Sequence, residues 1–354
     1  MTRPKKKKKY WGFIIIGSIL LILLIAGGIV AYNIYERIHS VNMSVSQNDE
    51  PFLFIPTGST FDDVCSRLVE AGLQDEESFR WVASRMNYPG RVKTGRYRLT
   101  DGMSNIELVR MLRSGRQVPV NVTFNNIRLD TQLAGAVTRT IEADSADVLA
   151  LLKDSVFLAE RFNLSLRTVL TLFIPNTYEF FWDTSPKGFM DRMEREYDRF
   201  WTENRRQKAR EAKLTPLQVT IMASIIEEET QKNSEKPTMA GVYINRINRG
   251  MLLQADPTLK FAIGDFTIKR VLNRHKEIDS PYNTYKYVGL PPGPICIPSI
   301  ASIDAVLNYE KHDYLFFCAK EDFSGYHNFA RTLQQHNRNA QAYHRALNNS
   351  RIFR

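Results

Sequence analysis

Residues Trp11 to Tyr32, WGFIIIGSILLILLIAGGIVAY, run for 22 positions without a charge. As a helix rising about 1.5 Å per residue this run is roughly 33 Å long, enough to cross a hydrocarbon core of about 30 Å. A soluble core helix of that length would need a polar stripe, and this one has none. Arg3 and Lys5 to Lys9 stand in front of it, and such positive flanks stay on the cytoplasmic side. The expectation is a basic cytoplasmic tail over 1–10, a transmembrane helix over 11–32 and the remaining chain outside, held in the cell inner (cytoplasmic) membrane. Ala26-Gly27-Gly28 is a small-residue cluster of the kind found at signal-peptide cleavage sites. The apolar run exceeds the usual length of about 7–15 residues, however, and no A-x-A site follows it, which favours an uncleaved anchor.

The formal net charge is +10, but six positive charges lie in the tail and about +4 remains for the rest. That leaves no case for nucleic acid as a partner and suits a mildly anionic polymer. Cys65, Cys296 and Cys318 are too few and odd in number for a disulfide scaffold, and their spacing matches no metal motif. No H-x-x-x-H pair, phosphate loop or serine elbow is present, so zinc peptidase, nucleotide and serine-hydrolase chemistry are not indicated. No metal or cofactor is expected.

Ile38 to Glu50 is polar without apolar periodicity and reads as the end of a spacer over 33–50. About 13 flexible residues would span roughly 20 Å. Beyond it Phe52 to Ile55 reads as a strand, Thr57 to Thr60 as a turn and cap, and Phe61 to Ala71 as an amphipathic helix. The unit recurs with Gly95 to Leu99, Asp101-Gly102, and a helix that Ser104 opens with Glu107 in a capping box. A third version runs from Val118 to Ile141, with alternating Val120, Val122 and Phe124 and a helix from about Asp130. Such strand–turn–helix units resemble LysM-type glycan-binding modules; a ligand-free α+β spacer domain is the plainer reading of 51–144.

From Ser145 the chain becomes mainly helical: Ala146 to Lys153, Val156 to Phe162, and a charged helix from Pro186 to Lys213 with a solvated surface. Between them lies LFIPNTYEFFW, Leu172 to Trp182, whose rings either fill a core or line a cleft. The expected class is α+β, with one membrane helix, a small LysM-like domain and a larger, mainly helical domain over 145–354 carrying short strands.

Thr215-Pro216 is a good helix opening, a hydroxyl N-cap followed by proline at the first turn. In the helix Leu217 to Lys232, Leu217, Ile221, Met222, Ile225 and Ile226 form the apolar face. Glu227 lies opposite, beside Thr220, Ala223 and Ser224, while Glu229 falls near the middle of the apolar face and Glu228 at its edge. Periodicity makes Glu229 the anomaly and Glu227 a solvated residue. Yet small neighbours let a ligand or another backbone approach the Glu227 face, and the choice among the three stays open. Ala240 to Arg249 reads as a further helix. Gln254 and Asp256 precede Pro257 in extended or turn geometry. The Pro/Gly-rich loop from Ser280 to Ser299 suits the presentation of hydrogen-bonding groups.

Four segments, ASIIEEET, YINRI with GMLLQADPT, YNTYKYVGLPPGPI and GYHNFARTLQQHN, follow one another in the order found in the endolytic murein transglycosylases, the MltG/YceG-like family. The chain resembles that family over nearly its whole length past position 50. The resemblance implies an endolytic lytic transglycosylase that cleaves between N-acetylmuramic acid and N-acetylglucosamine within nascent glycan strands, leaves a 1,6-anhydro end and terminates elongation. It implies peptidoglycan strands and the membrane as partners, with peptidoglycan synthases as candidate neighbours. Residue by residue, the family's catalytic glutamate matches Glu227 and a supporting one matches Glu229. Gln254, Asp256, Asn283, Tyr285 and His327 would line or brace the cleft. One departure stands out: after the GPI tripeptide the common pattern is asparagine-proline-glycine, and this chain has Ile297-Pro298-Ser299.

Glycosidases generally use two carboxylates. A lytic transglycosylase needs one, because the substrate's own C6 hydroxyl is the nucleophile and already has the proximity advantage. Glu227 as general acid would want a pKa raised by roughly two units over about 4.3. Burial in a cleft walled by the aromatic segment is the expected source. Two other functions fit the same residues: a hydrolytic muramidase with Asp256 as second carboxylate, and a membrane-anchored glycan-binding protein without activity.

Overall fold

A computed structural model describes residues 9–45, 51–268 and 270–349. The basic tail before Lys9 and residues 46–50 of the expected spacer lie outside the described residues. The chain divides into two compact units, Met1–Val120 with Phe181–Asp183, and Asn121–Phe180 with Thr184–Arg354.

The first unit contains α1 (Lys9–His39), β1 (Phe52–Ile55), α2 (Phe61–Glu70), α3 (Glu76–Arg85), β2 (Gly95–Arg98) and α4 (Asn105–Ser114). Helix α1 is continuous through Gly27-Gly28 and carries an apolar stretch long enough to cross a membrane once. It continues seven residues past Tyr32. The expected flexible spacer is corrected here, because Ser40 to Ser44 packs into the unit rather than hanging free. Met43 is fully buried, and bridges join Val41 to Ser104 and Met43 to Leu73. Asn42 is polar, but its amide is fully used: Nδ2 donates to the Asp75 carbonyl at 2.8 Å and to Asn105 Oδ1 at 2.6 Å, and Oδ1 accepts from Asp75 N. Asn105 Nδ2 in turn caps the Arg37 carbonyl at the end of α1. A polar sequence without periodicity reads as a linker until its amides find buried partners.

The capping signals act as read. Thr60 and Asp63 exchange hydrogen bonds at the start of α2, and Glu107 accepts from the backbone and hydroxyl of Ser104 at the start of α4. Strands β1 and β2 pair antiparallel, with Phe52 opposite Arg98 and Ile55 opposite Gly95. Leu53 and Ile55 point into a core with Val64, Leu68, Phe79 and Tyr97. Helix α3 was not among the expected elements; it turns the supposed repeat into a single strand–helix–helix–strand arrangement followed by α4.

The second unit begins with β3 (Val120–Phe124), α5 (Asp130–Thr138), α6 (Ser145–Lys153), α7 (Ser155–Phe162), β4 (Asn176–Phe180), α8 (Pro186–Phe200) and α9 (Glu203–Glu211). It continues with α10 (Pro216–Glu229), α11 (Lys236–Asn248), α12 (Asp256–Ile263), α13 (Asn273–Lys276), α14 (Ile300–Leu307), β5 (Phe316–Ala319), β6 (His327–Ala330) and α15 (Leu333–Asn349). Two expectations change. The third strand–helix piece lies in this unit, because β3 pairs with β4, so the division falls at Val120/Asn121 instead of after Asp144. The single helix over Pro186 to Lys213 is two helices. Trp201, 1% exposed, turns inward, and Thr202 caps α9. Of the two readings of the aromatic segment, core is the one found for most of it: Phe173, Tyr178 and Phe180 are buried and, with Phe124 and Phe189, form a chain of ring contacts at 5.5–6.1 Å, while Phe181 is exposed.

Candidate functional site

Helix α10 opens on the Thr215 capping box with Pro216 at its first turn and is closed by Thr230. Both of its faces are buried, which explains the ambiguity of its pattern: Val219 to Ile226 are all buried. The small-residue face is covered by another backbone. Ser224 Oγ accepts from Ile295 N at 3.0 Å, and the Cys296 thiol lies 3.5 Å from the Ser224 carbonyl. Gly293 lets that loop pass close to the Arg167 backbone, since a Cβ there would sit 1.9 Å from the Arg167 carbonyl oxygen. The segment 293–299 thus runs along α10 to the start of α14, which packs beside it.

Glu227 is therefore not a solvated residue. Its side chain is 17% exposed, and its Oε2 receives four donors: Lys236 Nζ at 3.0 Å, Ser299 N at 3.3 Å, and the hydroxyls of Ser299 and Ser302. Lys236 is itself almost fully buried at the start of α11. Among the described residues no donor lies on Oε1. Burial pushes this carboxyl up, but the two serine hydroxyls and Lys236 together outweigh it and hold the pKa below the usual value. The expected rise, with the aromatic segment as its cause, is overturned: those rings are in the core and hydrogen-bond donors surround the carboxylate instead.

Two residues further on, Glu229 shows the opposite balance. It keeps little surface, and desolvation raises its pKa to about 7 against one hydrogen bond from the Tyr243 hydroxyl at 2.8 Å. The negative charge of Asp256 adds to the rise. Asp256 is not in a turn but is the first residue of α12, and its Oδ1 accepts from the Tyr285 hydroxyl at 2.6 Å. Gln254 sits in left-handed backbone (φ 54°), with its Oε1 3.4 Å from the Arg246 guanidinium. Glu228 takes a third environment, with both of its oxygens accepting from Arg128 Nη2 at 2.8 and 2.9 Å beside a cavity of about 190 Å³ that Lys260 and Phe266 also line.

The structure brings Glu229, Gln254, Asp256 and Tyr285 into one network around Tyr243 and Arg246, neighbouring the Glu227 nest. Asn283 is fully buried and braces the loop: it donates to the carbonyls of Lys276 and Ile278 and accepts from Tyr285 N. His327 pairs with Glu235 at 3.1 Å, next to Lys236. Lys236, Ser299, Ser302, Tyr243 and Arg128 were missed as site residues. The only local signals were Pro298-Ser299, which reads as a helix N-cap, and Lys236-Pro237 at a helix start. No group of three or more His, Cys, Asp or Glu suited to a metal is found among the described residues.

Residues 53–342 match the model of the YceG-like family. An endolytic murein transglycosylase of Bacillus subtilis (strain 168) is 31% identical over 305 residues, covering 82% of this chain and 83% of its own. The endolytic murein transglycosylase of Streptococcus pneumoniae serotype 2 (strain D39) is 28% identical over 348 residues and covers 89% of this chain, which spans 62% of that longer protein. A crystal structure of a YceG-like protein from Listeria monocytogenes superposes with a TM-score of 0.53 at 29% identity, covering 81% of this chain and 97% of that one. With more than half of the sequence matched and these relatives alongside, the chain belongs to the YceG-like family.

Proposed function

We propose that this protein is a membrane-anchored endolytic lytic transglycosylase of peptidoglycan, with Glu227 as its single acid and base. The names of the curated relatives supply the reaction class. The observation that supports the residue is the asymmetry of its carboxylate: Oε2 is clamped by four donors and Oε1 receives none among the described residues. One oxygen fixes the group while the other is left to handle a proton. In the reaction, Glu227 protonates the bridging oxygen as the C1–O bond breaks. The C6 hydroxyl of the same muramic acid then attacks C1 and gives its proton back to Glu227, so the enzyme ends as it began. No water is consumed, and the nearby carboxylates are otherwise engaged, Glu228 by Arg128 and Glu229 by Tyr243.

The free carboxyl is held mostly ionised near neutrality. The acid step therefore relies on the bound sugar deepening the desolvation that already opposes the charge, and kcat/KM should fall as pH rises. Two measurements test the reading. Glu227→Gln keeps the size and hydrogen bonds but cannot cycle a proton, and should lower the rate by about 10²–10⁴-fold; cleavage at the wild-type rate refutes the assignment. Mass spectrometry of the product ends should show the anhydro sugar. Ends heavier by one water throughout would make the enzyme a hydrolytic muramidase.

The lysine run before Trp11 supports a cytoplasmic N-terminus with the chain after α1 outside; protease treatment of spheroplasts that leaves that part of the chain untouched would overturn it. The strand–helix–helix–strand order of the first unit supports a LysM-like, glycan-holding role. That role fails if the full-length Glu227→Gln protein retains no sacculi. Tethering by α1 supports work near the membrane, on nascent strands.

A further inference from the structure

Ser299 stands where the resemblance leads one to expect glycine, and its side chain is fully occupied in two directions. It is the N-cap of α14 (φ −60°, ψ 153°), where its Oγ accepts from Ser302 N at 3.3 Å. The hydroxyl proton of the same group goes to Glu227 Oε2, and the Ser299 backbone N–H donates there as well. A glycine at this position would keep the backbone donor and lose the hydroxyl. It would also keep most of the cap, since glycine is nearly as good an N-cap as serine.

We infer that Ser299 is a positioning residue that locks Glu227 through Oε2 and sets the pH at which this acid carries its proton. The inference rests on the reading of Glu227 as acid and base. A hydrogen bond donated to a carboxylate favours the ionised form, so the hydroxyl makes the protonated acid scarcer as pH rises and the carboxylate base more abundant. The other groups facing Glu227 are Lys236 from α11, Ser302 from α14 and the Cys296 thiol from the loop before α14, while Glu228 on its own helix is neutralised by Arg128. Of these only Ser299 gives Glu227 both a backbone N–H and a hydroxyl. The direction of the Glu227 shift agrees, with the Ser299 hydroxyl the largest of the causes that lower it.

The test is the pH profile of kcat/KM for anhydro-end formation by the full-length protein, in wild type, Ser299→Gly and Ser299→Thr. Ser299→Gly should move the alkaline limb up by about one pH unit, the size of one charge-assisted hydrogen bond. Cleavage on the alkaline side should then rise up to about tenfold. Ser299→Thr keeps a hydroxyl and should restore the wild-type limb. Ser299→Ala also lacks the hydroxyl and, although it is a poorer cap than glycine, should move the limb to the same place. A limb that stays in place in both the glycine and alanine variants overturns the inference. So does an equal loss of rate at every pH, which would mark Ser299 as a cap only. These failures differ from failure of the underlying reading, which shows as activity surviving in Glu227→Gln.

Discussion

Glu227 and Glu229 lie one peptide unit apart from being neighbours on α10, yet they occupy opposite electrostatic surroundings. Glu227 faces α11 and α14 and collects a lysine, two hydroxyls and a backbone N–H on one oxygen. Glu229 faces Tyr243 and the start of α12 and has one phenol, with a second carboxylate near enough to repel it. The first is held ionised and the second is raised to about 7. Burial opposes the charge on both and more strongly at Glu229; the four donors on Glu227 outweigh it, and the single phenol on Glu229 does not. On the proposed reading of Glu227 as acid and base, that contrast separates a clamped, reacting group from one that stores a proton within the fold.

The strongest way to break the contrast is to remove the lysine. Lys236 is 4% exposed on its side chain and pairs with a carboxylate that is 17% exposed. Taking away one partner of such a pair leaves a charge without compensation, at about 3–5 kcal/mol. Lys236→Met should destabilise the protein by an amount near the lower figure, because the two serines still support Glu227. Adding Glu227→Gln to it should recover much of the loss. A double-mutant cycle in urea measures this, and strictly additive losses would show that the pair is not coupled.

Next in size is the pH dependence owed to Glu229. Its folded pKa of about 7 exceeds the ordinary value of 4.5, so the folded state binds the extra proton between them. Stability therefore falls as pH climbs from about 4.5 to about 7 and levels off above. Between pH 5 and 7.5 the fall should be roughly 2 kcal/mol, and Glu229→Gln should remove it. Glu227 has the reverse sign: its contribution is present above the ordinary carboxylate range and is lost only on acidification through its lowered pKa. Urea midpoints at several pH values separate the two. A Glu229→Gln protein with the wild-type slope would mean that Glu229 is ordinary.

The sequence made one half of this contrast visible. Glu229 interrupts an apolar face, and a carboxylate there had to be buried or catalytic. Thr215-Pro216, Ser104 with Glu107, and the alternation in Phe52 to Ile55 were similarly readable, because caps and strand periodicity are local. The Glu227 nest was not, since Ser299 and Ser302 are 72 and 75 residues away along the chain. What could be read was the row of small residues, Thr220, Ala223 and Ser224, which announced that something approaches that face without saying what. The same limit applies to Asn42, whose partners at Asp75 and Asn105 turned an apparent spacer into packed chain. Composition cannot distinguish an aromatic cleft from an aromatic core, and only the contacts of Phe173 and Phe180 with Phe189 placed that segment inside.

The smallest expected effect sharpens the Glu229 side. Tyr243 donates to Glu229 Oε1 and stacks edge-on against Phe317 at 5.9 Å, so Tyr243→Phe removes the donor and keeps the ring contact. The loss should be about 1 kcal/mol at neutral pH, that of one hydrogen bond. Its diagnostic value lies in the pH series. The phenol favours ionised Glu229, and without it the decline in stability should continue beyond pH 7 before levelling. A decline that ends at the wild-type pH would show that the phenol does not support the charge. Donor count would then fail as the reason that these two carboxylates differ.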